Sequence, residues 1–380
     1  MPLQVTSLAS FRVDPARGFL PSQDPLGKLP PVYEAWDQIG AEMSALLMTH
    51  KLRDVLERLA PLSINDLRND REEERALLLL SVFANAYVWA DAKEPATRLP
   101  KGVSVPLCQL AEKLGRPPIV THASIVLHNW RRLDKTTSID LDNLACLQLF
   151  FGGIDEQWFY LNAVAIECKG APALVAAIEG QHAAVENRLE ALCENLQKIR
   201  ASIDVVNATL LRMWEFCDPH IFYHRVRPPL TGWNAPGVIY EGVSEEPRKY
   251  FGGSAAQSPW FQAVDAALGI AHQDNHTNPY LMEMRTYMTP AHRRFIEALE
   301  RESSIRNFVL ERQKTEPNLC EAYNQCVQAM EEFRKKHFEI AVRYIAHQAP
   351  KGVEAKGTGG TSFSTFLGKA LKETSEKIID

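Results

Sequence analysis

Apolar residues return at three- and four-residue steps through most of this chain, with polar and charged residues filling the positions between. That period turns one stripe of a helix toward a core. It runs through residues 32–59, 72–90, 124–133, 157–168, 171–216, 259–271, 290–300, 304–312, 322–347 and 364–377. Ser258-Pro259 and Thr289-Pro290 each predict an N-cap followed by proline in the first helical turn. No sustained two-residue alternation predicts a large sheet, and short strands in loops remain compatible with the pattern. The predicted class is all-α.

Punctuation divides the helices. Residues 1–31 are proline-rich and extended, and polar residues 134–142 with Gly152-Gly153 bracket a connector. A smaller helical domain is expected at 1–140, a connector at 141–153 and a larger helical domain at 154–380. Residues 349–361, APKGVEAKGTGGT, have too much glycine and too little bulk to pack, which predicts a mobile loop between two helices.

Composition narrows the function classes. Of 380 residues, 46% are hydrophobic and 23% charged, a globular profile. The net charge of −5 comes without a basic block, so nucleic-acid binding is not expected. The seven cysteines are odd in number and contain no CxxC pair, which argues against a disulfide framework or a thiolate zinc site. The apolar segment 76–90 is shorter than the roughly 20 residues that span a bilayer. No signal-type run opens the chain. A cytoplasmic location is expected, with no membrane partner.

Residues 330–344, MEEFRKKHFEIAVRY, carry the most informative position. As a helix, one face holds Met330, Phe333, His337, Ile340 and Tyr344; the other holds Glu331, Glu332, Lys335, Lys336 and Arg343. A histidine inside an apolar stripe has two ring nitrogens to satisfy. Two readings stay open on spacing alone: a packed histidine bonded to a buried acceptor, or a ligand to a metal such as haem iron. Residues 251–258, FGGSAAQS, lack the lysine of a phosphate cradle; they read as a tight turn or as backbone that approaches a flat ligand. In 218–233, DPHIFYHRVRPPLTGW, arginine beside aromatics fits either a planar carboxylate ligand or an inward-packed loop. His220/His224 and His272/His276 have helical metal-site spacing but no HExxH carboxylate. No Ser/His/Asp order supports a hydrolase.

Together these segments resemble the indoleamine 2,3-dioxygenase family. The resemblance rests on PPIVTHASIVLHNW (117–130), DPHIFYHRVRPPLTGW (218–233), YEG (240–242), FGGSAAQS (251–258), YMTPAHRRF (287–295), FRKKHFEI (333–340) and EAKGTGGT (354–361), in that order over most of the chain. It implies a two-domain helical fold, with the small domain over the distal face of a haem b bound in the large one. It also implies cleavage of the L-tryptophan pyrrole ring by O2 to N-formylkynurenine, opening the kynurenine route of tryptophan breakdown. The implied partners are L-tryptophan, O2 and a cellular reductant, and the implied state is a monomer. By resemblance, His337 is the proximal iron ligand, Arg334 lies near a haem propionate and Asp265 is its acidic partner. Arg227 pairs with the substrate carboxylate, while Phe222, Tyr223 and Phe159 flank the indole. Gly253, Ser254 and Ala255 cover the distal haem face, and Thr358 closes over the ammonium end.

Three positions depart from the family pattern. Tyr223 replaces the second residue of a tandem phenylalanine, Ala163 stands where many members have a serine, and His122 stands where a tyrosine is expected. A second reading therefore competes with the enzyme: a haem-binding paralogue that takes another indole or acts as a sensor or interaction protein. A third is a scaffold without cofactor. The resemblance implies no distal acid or base, because the indole N–H need not be removed first, so Ala163 does not argue against activity.

Overall fold

The computed structural model describes residues 7–91, 93–272, 277–302, 304–350, 357 and 363–380. Helices dominate it, as the apolar period predicts. Helix Asp70–Val88 opens on Asn69, whose side chain accepts from the backbone N–H groups of Arg71 and Glu72, and its run from Glu73 to Val88 is buried. The expected segment 171–216 divides into Ala171–Val185, Leu189–Leu211 and Met213–Phe216, the first break falling where Asn187 adopts positive φ. The expected 32–59 divides likewise into Glu34–Met48 and Leu52–Glu57 around His50.

Elsewhere the pattern and the structure differ. Residues 124–133 do not form a helix of that length. The segment makes one wide turn at Ala123–Leu127 and then a short strand, Arg131–Arg132, paired with Leu144–Ala145. Helix Lys101–Leu114 was not predicted because Pro106 lies inside it. Helix Thr277–Arg285 also escaped the pattern. A small sheet joins Arg98–Leu99, Trp233–Tyr240 and Arg248–Tyr250.

Both expected N-caps hold their backbone positions without capping by the side chain. Ser258 precedes helix Pro259–Leu268 but makes no side-chain cap bond; its hydroxyl donates instead to Glu167. Thr289 Oγ1 has no partner among the described residues.

Buried residues form one continuous cluster that includes Val13, Trp130, Tyr160, Trp260, Met330 and Ile379, so the two parts of the expected division share a core. The irregular segment before Glu34 is packed into it through Phe19 and Leu20. Gly18 makes this approach possible: φ is +64°, and a Cβ there would sit 2.5 Å from the Glu167 carbonyl oxygen. At Gly170 a Cβ would overlap the Trp260 indole, whose Nε1 donates to the Gly170 carbonyl at 2.8 Å. The second contact ties the end of helix Ile154–Lys169 to helix Pro259–Leu268, and both helices line one cavity.

Candidate active site

Helix Pro317–Ala341 supplies one wall of a cavity of about 320 Å3, through Phe333, Arg334, His337, Ile340 and Ala341. Phe333, His337 and Ile340 belong to the apolar stripe read from the sequence, and Arg334 and Ala341 stand beside it. The His337 side chain has no hydrogen-bond or ion-pair partner among the described residues; its recorded neighbour is the Phe333 ring, centroids 6.0 Å apart. Burial, reinforced by the nearby Arg334 charge, lowers its pKa to about 4, so the imidazole is neutral at pH 7. A neutral imidazole without a protein partner, facing an apolar cavity, is suited to a metal ligand.

Beside it, Arg334 Nη2 donates to Asp265 Oδ2 at 2.6 Å. His272 Nε2 meets the same oxygen at 3.1 Å, and its Nδ1 meets Glu373 Oε2 at 2.8 Å. Burial would raise the Asp265 pKa, but the Arg334 charge and the His272 bond outweigh it and leave the carboxyl below its usual value. Arg334 Nη1 and Asp265 Oδ1 remain buried without partners among the described residues. Such orphaned groups are costly unless a bound group satisfies them. An acidic substituent accepting from Arg334 Nη1 would do so for the arginine. Helix Phe363–Ser375 closes this side with Phe366, Leu367 and Ala370.

The opposite wall is gathered from four segments, one of them the wide turn at Ala123–Leu127, which contributes Ile125 and Val126. Helix Ile154–Lys169 presents Phe159, Ala163, Ile166 and Glu167. Asp218 caps the next segment, accepting from the N–H groups of His220 and Ile221. A wide turn follows in which Arg227 N–H reaches the Phe222 carbonyl at 2.8 Å, and Pro228-Pro229 end it. This turn brings both Phe222 and Arg227 to the cavity, with the Phe222 ring 4.8 Å from that of Phe159. The guanidinium stacks over Tyr223 at 5.2 Å. Burial lowers the Arg227 pKa, which leaves a guanidinium charged at neutral pH. Residues 253–256 also line the wall, pinned by Gly253 N–H donating to the Leu230 carbonyl. A Cβ at Gly253 would meet protein no closer than 3.7 Å, so packing alone does not demand glycine there.

A model of the indoleamine 2,3-dioxygenase family matches residues 7–377. The chain belongs to that family. It is 35% identical to indoleamine 2,3-dioxygenase 2 of Homo sapiens over 98% of this chain and 96% of the relative. It is 36% identical to indoleamine 2,3-dioxygenase 1 of Mus musculus, over 98% and 95%. A protein of Haliotis madaka named myoglobin is 31% identical, over 98% of both chains.

Around the cavity, eleven of the positions singled out above can be placed by wall. His337, Arg334 and Asp265 lie together on one side, while His122, Phe159, Ala163, Phe222, Arg227, Gly253, Ser254 and Ala255 line the remainder. Tyr223 is not among the lining residues: it lies behind Arg227 as a platform. Thr358, His276 and most of loop 349–361 lie outside the described residues, although Gly357 lines the cavity. His220 and His224 are exposed, with ring centroids 4.4 Å apart, and no group of three metal-binding side chains occurs among the described residues.

The sequence reading missed Glu167, Ser258, Tyr280 and the structural role of His272. A buried glutamate four residues after Ala163 was a detectable signal, since both share a helix face. Ser258 gave none, because it reads as an ordinary N-cap.

Proposed function

We propose that the protein is a haem-dependent dioxygenase that opens the pyrrole ring of L-tryptophan with O2, giving N-formylkynurenine. The observation that carries this reading is the presence, in one apolar cavity, of Arg227 and of a neutral His337 without a partner among the described residues. His337 would hold the haem iron and Arg334 a propionate. The chemistry that haem supplies when bound is activation of O2 for insertion of both atoms across the indole C2–C3 bond.

The protein's own part is placement. Arg227 offers a charge-assisted fork to the substrate carboxylate. Phe159 and Phe222 give the indole an apolar wall. Leu230, Ile125 and Val126 extend it, keeping water from the reacting ring. Orientation of this kind lowers the barrier without a protein group taking part in bond cleavage.

A cytoplasmic location and a cellular reductant belong to the same proposal, and the seven free cysteines suit a reducing compartment. The test is to load the purified chain with haem, reduce it and supply L-tryptophan and O2. Formation of N-formylkynurenine is expected. The relative named myoglobin favours the second reading, a haem protein without this turnover. Full haem occupancy with no product would select it.

A further inference from the structure

The wall opposite His337 carries one polar cluster that the reaction described above does not use. His122 is 6% exposed, lines the cavity, and places Nε2 2.9 Å from Glu167 Oε1. Ser258 Oγ donates to the same oxygen, which is why its hydroxyl does not cap its own helix. Glu167 is 1% exposed and its Oε2 has no partner among the described residues. No lysine or arginine makes an ion pair with it there. The His122 backbone is fixed as well, its N–H donating to Gln257 Oε1 at 3.0 Å.

This arrangement favours one tautomer of a neutral His122. In the neutral tautomer that donates Nε2–H to Glu167, the other ring nitrogen, Nδ1, carries a lone pair, and it has no protein partner among the described residues. An imidazole oriented by a carboxylate is a better acceptor than a free one. The cavity thus offers a cation at Arg227 and, on the aromatic wall, an acceptor. Glu167 shares its helix face with Phe159 and Ala163, and Ala163 leaves the space beside it without a competing hydroxyl.

Resting on the proposed function, we infer that His122 is a specificity-determining residue that accepts a hydrogen bond from the ring N–H of the bound indole. Glu167 and Ser258 are positioning residues that act through it. Tryptophan's ring carries a single donor, the N–H, so the contact selects substrates with an unsubstituted ring nitrogen. The other donor of the amino acid, its ammonium, lies next to the carboxylate that Arg227 receives.

The test compares L-tryptophan, N1-methyl-L-tryptophan and indole-3-propionate as ligands of the haem-loaded protein by calorimetry. The variants are Glu167→Gln alone and His122→Phe combined with Glu167→Gln, the pair avoiding an unpaired buried carboxylate. Haem content and circular dichroism establish that each variant is folded. The native chain should prefer L-tryptophan over the N1-methyl compound by at least about tenfold. The double variant should reduce that ratio to about threefold or less, with Glu167→Gln between the two. Equal binding of the two by the native chain overturns the inference. So does a ratio unchanged in the folded double variant, which would make the preference steric. Loss of the preference for L-tryptophan over indole-3-propionate instead would assign His122 to the ammonium. Binding is read without turnover, so an inactive protein would count against the proposed function and leave this result readable.

Discussion

The two walls of the cavity are built in different ways. One comes largely from a single helix, where Phe333, His337 and Ile340 share a stripe and Arg334 stands beside it, with Tyr344 following in the wide turn Val342–Ala346. The other is assembled from Ile154–Lys169, the wide turns at Ala123–Leu127 and Phe222–Val226, and residues 253–258. The first wall holds its chemistry by helical periodicity. The second holds it through long-range bonds such as His122 to Glu167 and Ser258 to Glu167. A regular element fixes where a ligand atom sits, whereas a composite wall can exchange one polar contact for another and so tune what binds.

The sharpest way to break this contrast is His337→Ala. It should abolish stable haem ligation and the spectrum of a ligated haem, while the fold, read by circular dichroism, is retained. A normal haem spectrum would remove the first wall from the account.

Arg227→Ala should do the opposite, leaving the haem spectrum intact. A charge-assisted pair contributes about 2–3 kcal/mol, so kcat/KM for L-tryptophan should fall roughly 30- to 150-fold, chiefly through KM. Unchanged kcat/KM would sink the carboxylate role.

Arg334→Met leaves Asp265 with His272 alone and removes the guanidinium beside His337. Stability should drop by about 3 kcal/mol in urea unfolding, because a buried carboxylate loses its strongest partner. The direction with pH is defined. Asp265 has a lowered folded pKa, so its contribution is present above the unfolded value and is lost as pH falls through the folded one. In Arg334→Met that acid-side loss should shrink; an identical profile would contradict the pairing.

The smallest effect belongs to Tyr223→Phe. Since Tyr223 is behind Arg227 and does not line the cavity, kcat/KM should change by less than about twofold. A large change would place its hydroxyl in the substrate's path.

These differences also explain what the sequence made legible. The His337 stripe is local and periodic, so helical spacing alone exposes it, and the family resemblance is what favours a ligand over a packed histidine. The all-α class follows from the same period. Breaks at His50 and Asn187 are invisible to it, because positive φ at a non-glycine residue is imposed by the packed context. The wide turn at Ala123–Leu127 looks like a longer helix for the same reason, since its apolar residues are buried in any case. Ser258 was misread because a serine before proline has two uses for its hydroxyl, and only the position of Glu167, 91 residues away, chooses between them. His272 offered the spacing of a metal pair; its bonds to Asp265 and Glu373 depend on the fold.

The most direct measurement of the central claim is product formation by the haem-loaded, reduced protein from L-tryptophan under heavy-isotope dioxygen. The account predicts N-formylkynurenine with both atoms of one O2 molecule incorporated, read before exchange with water. Haem-bound protein that forms no product, or a product whose added oxygen comes from water, would contradict it.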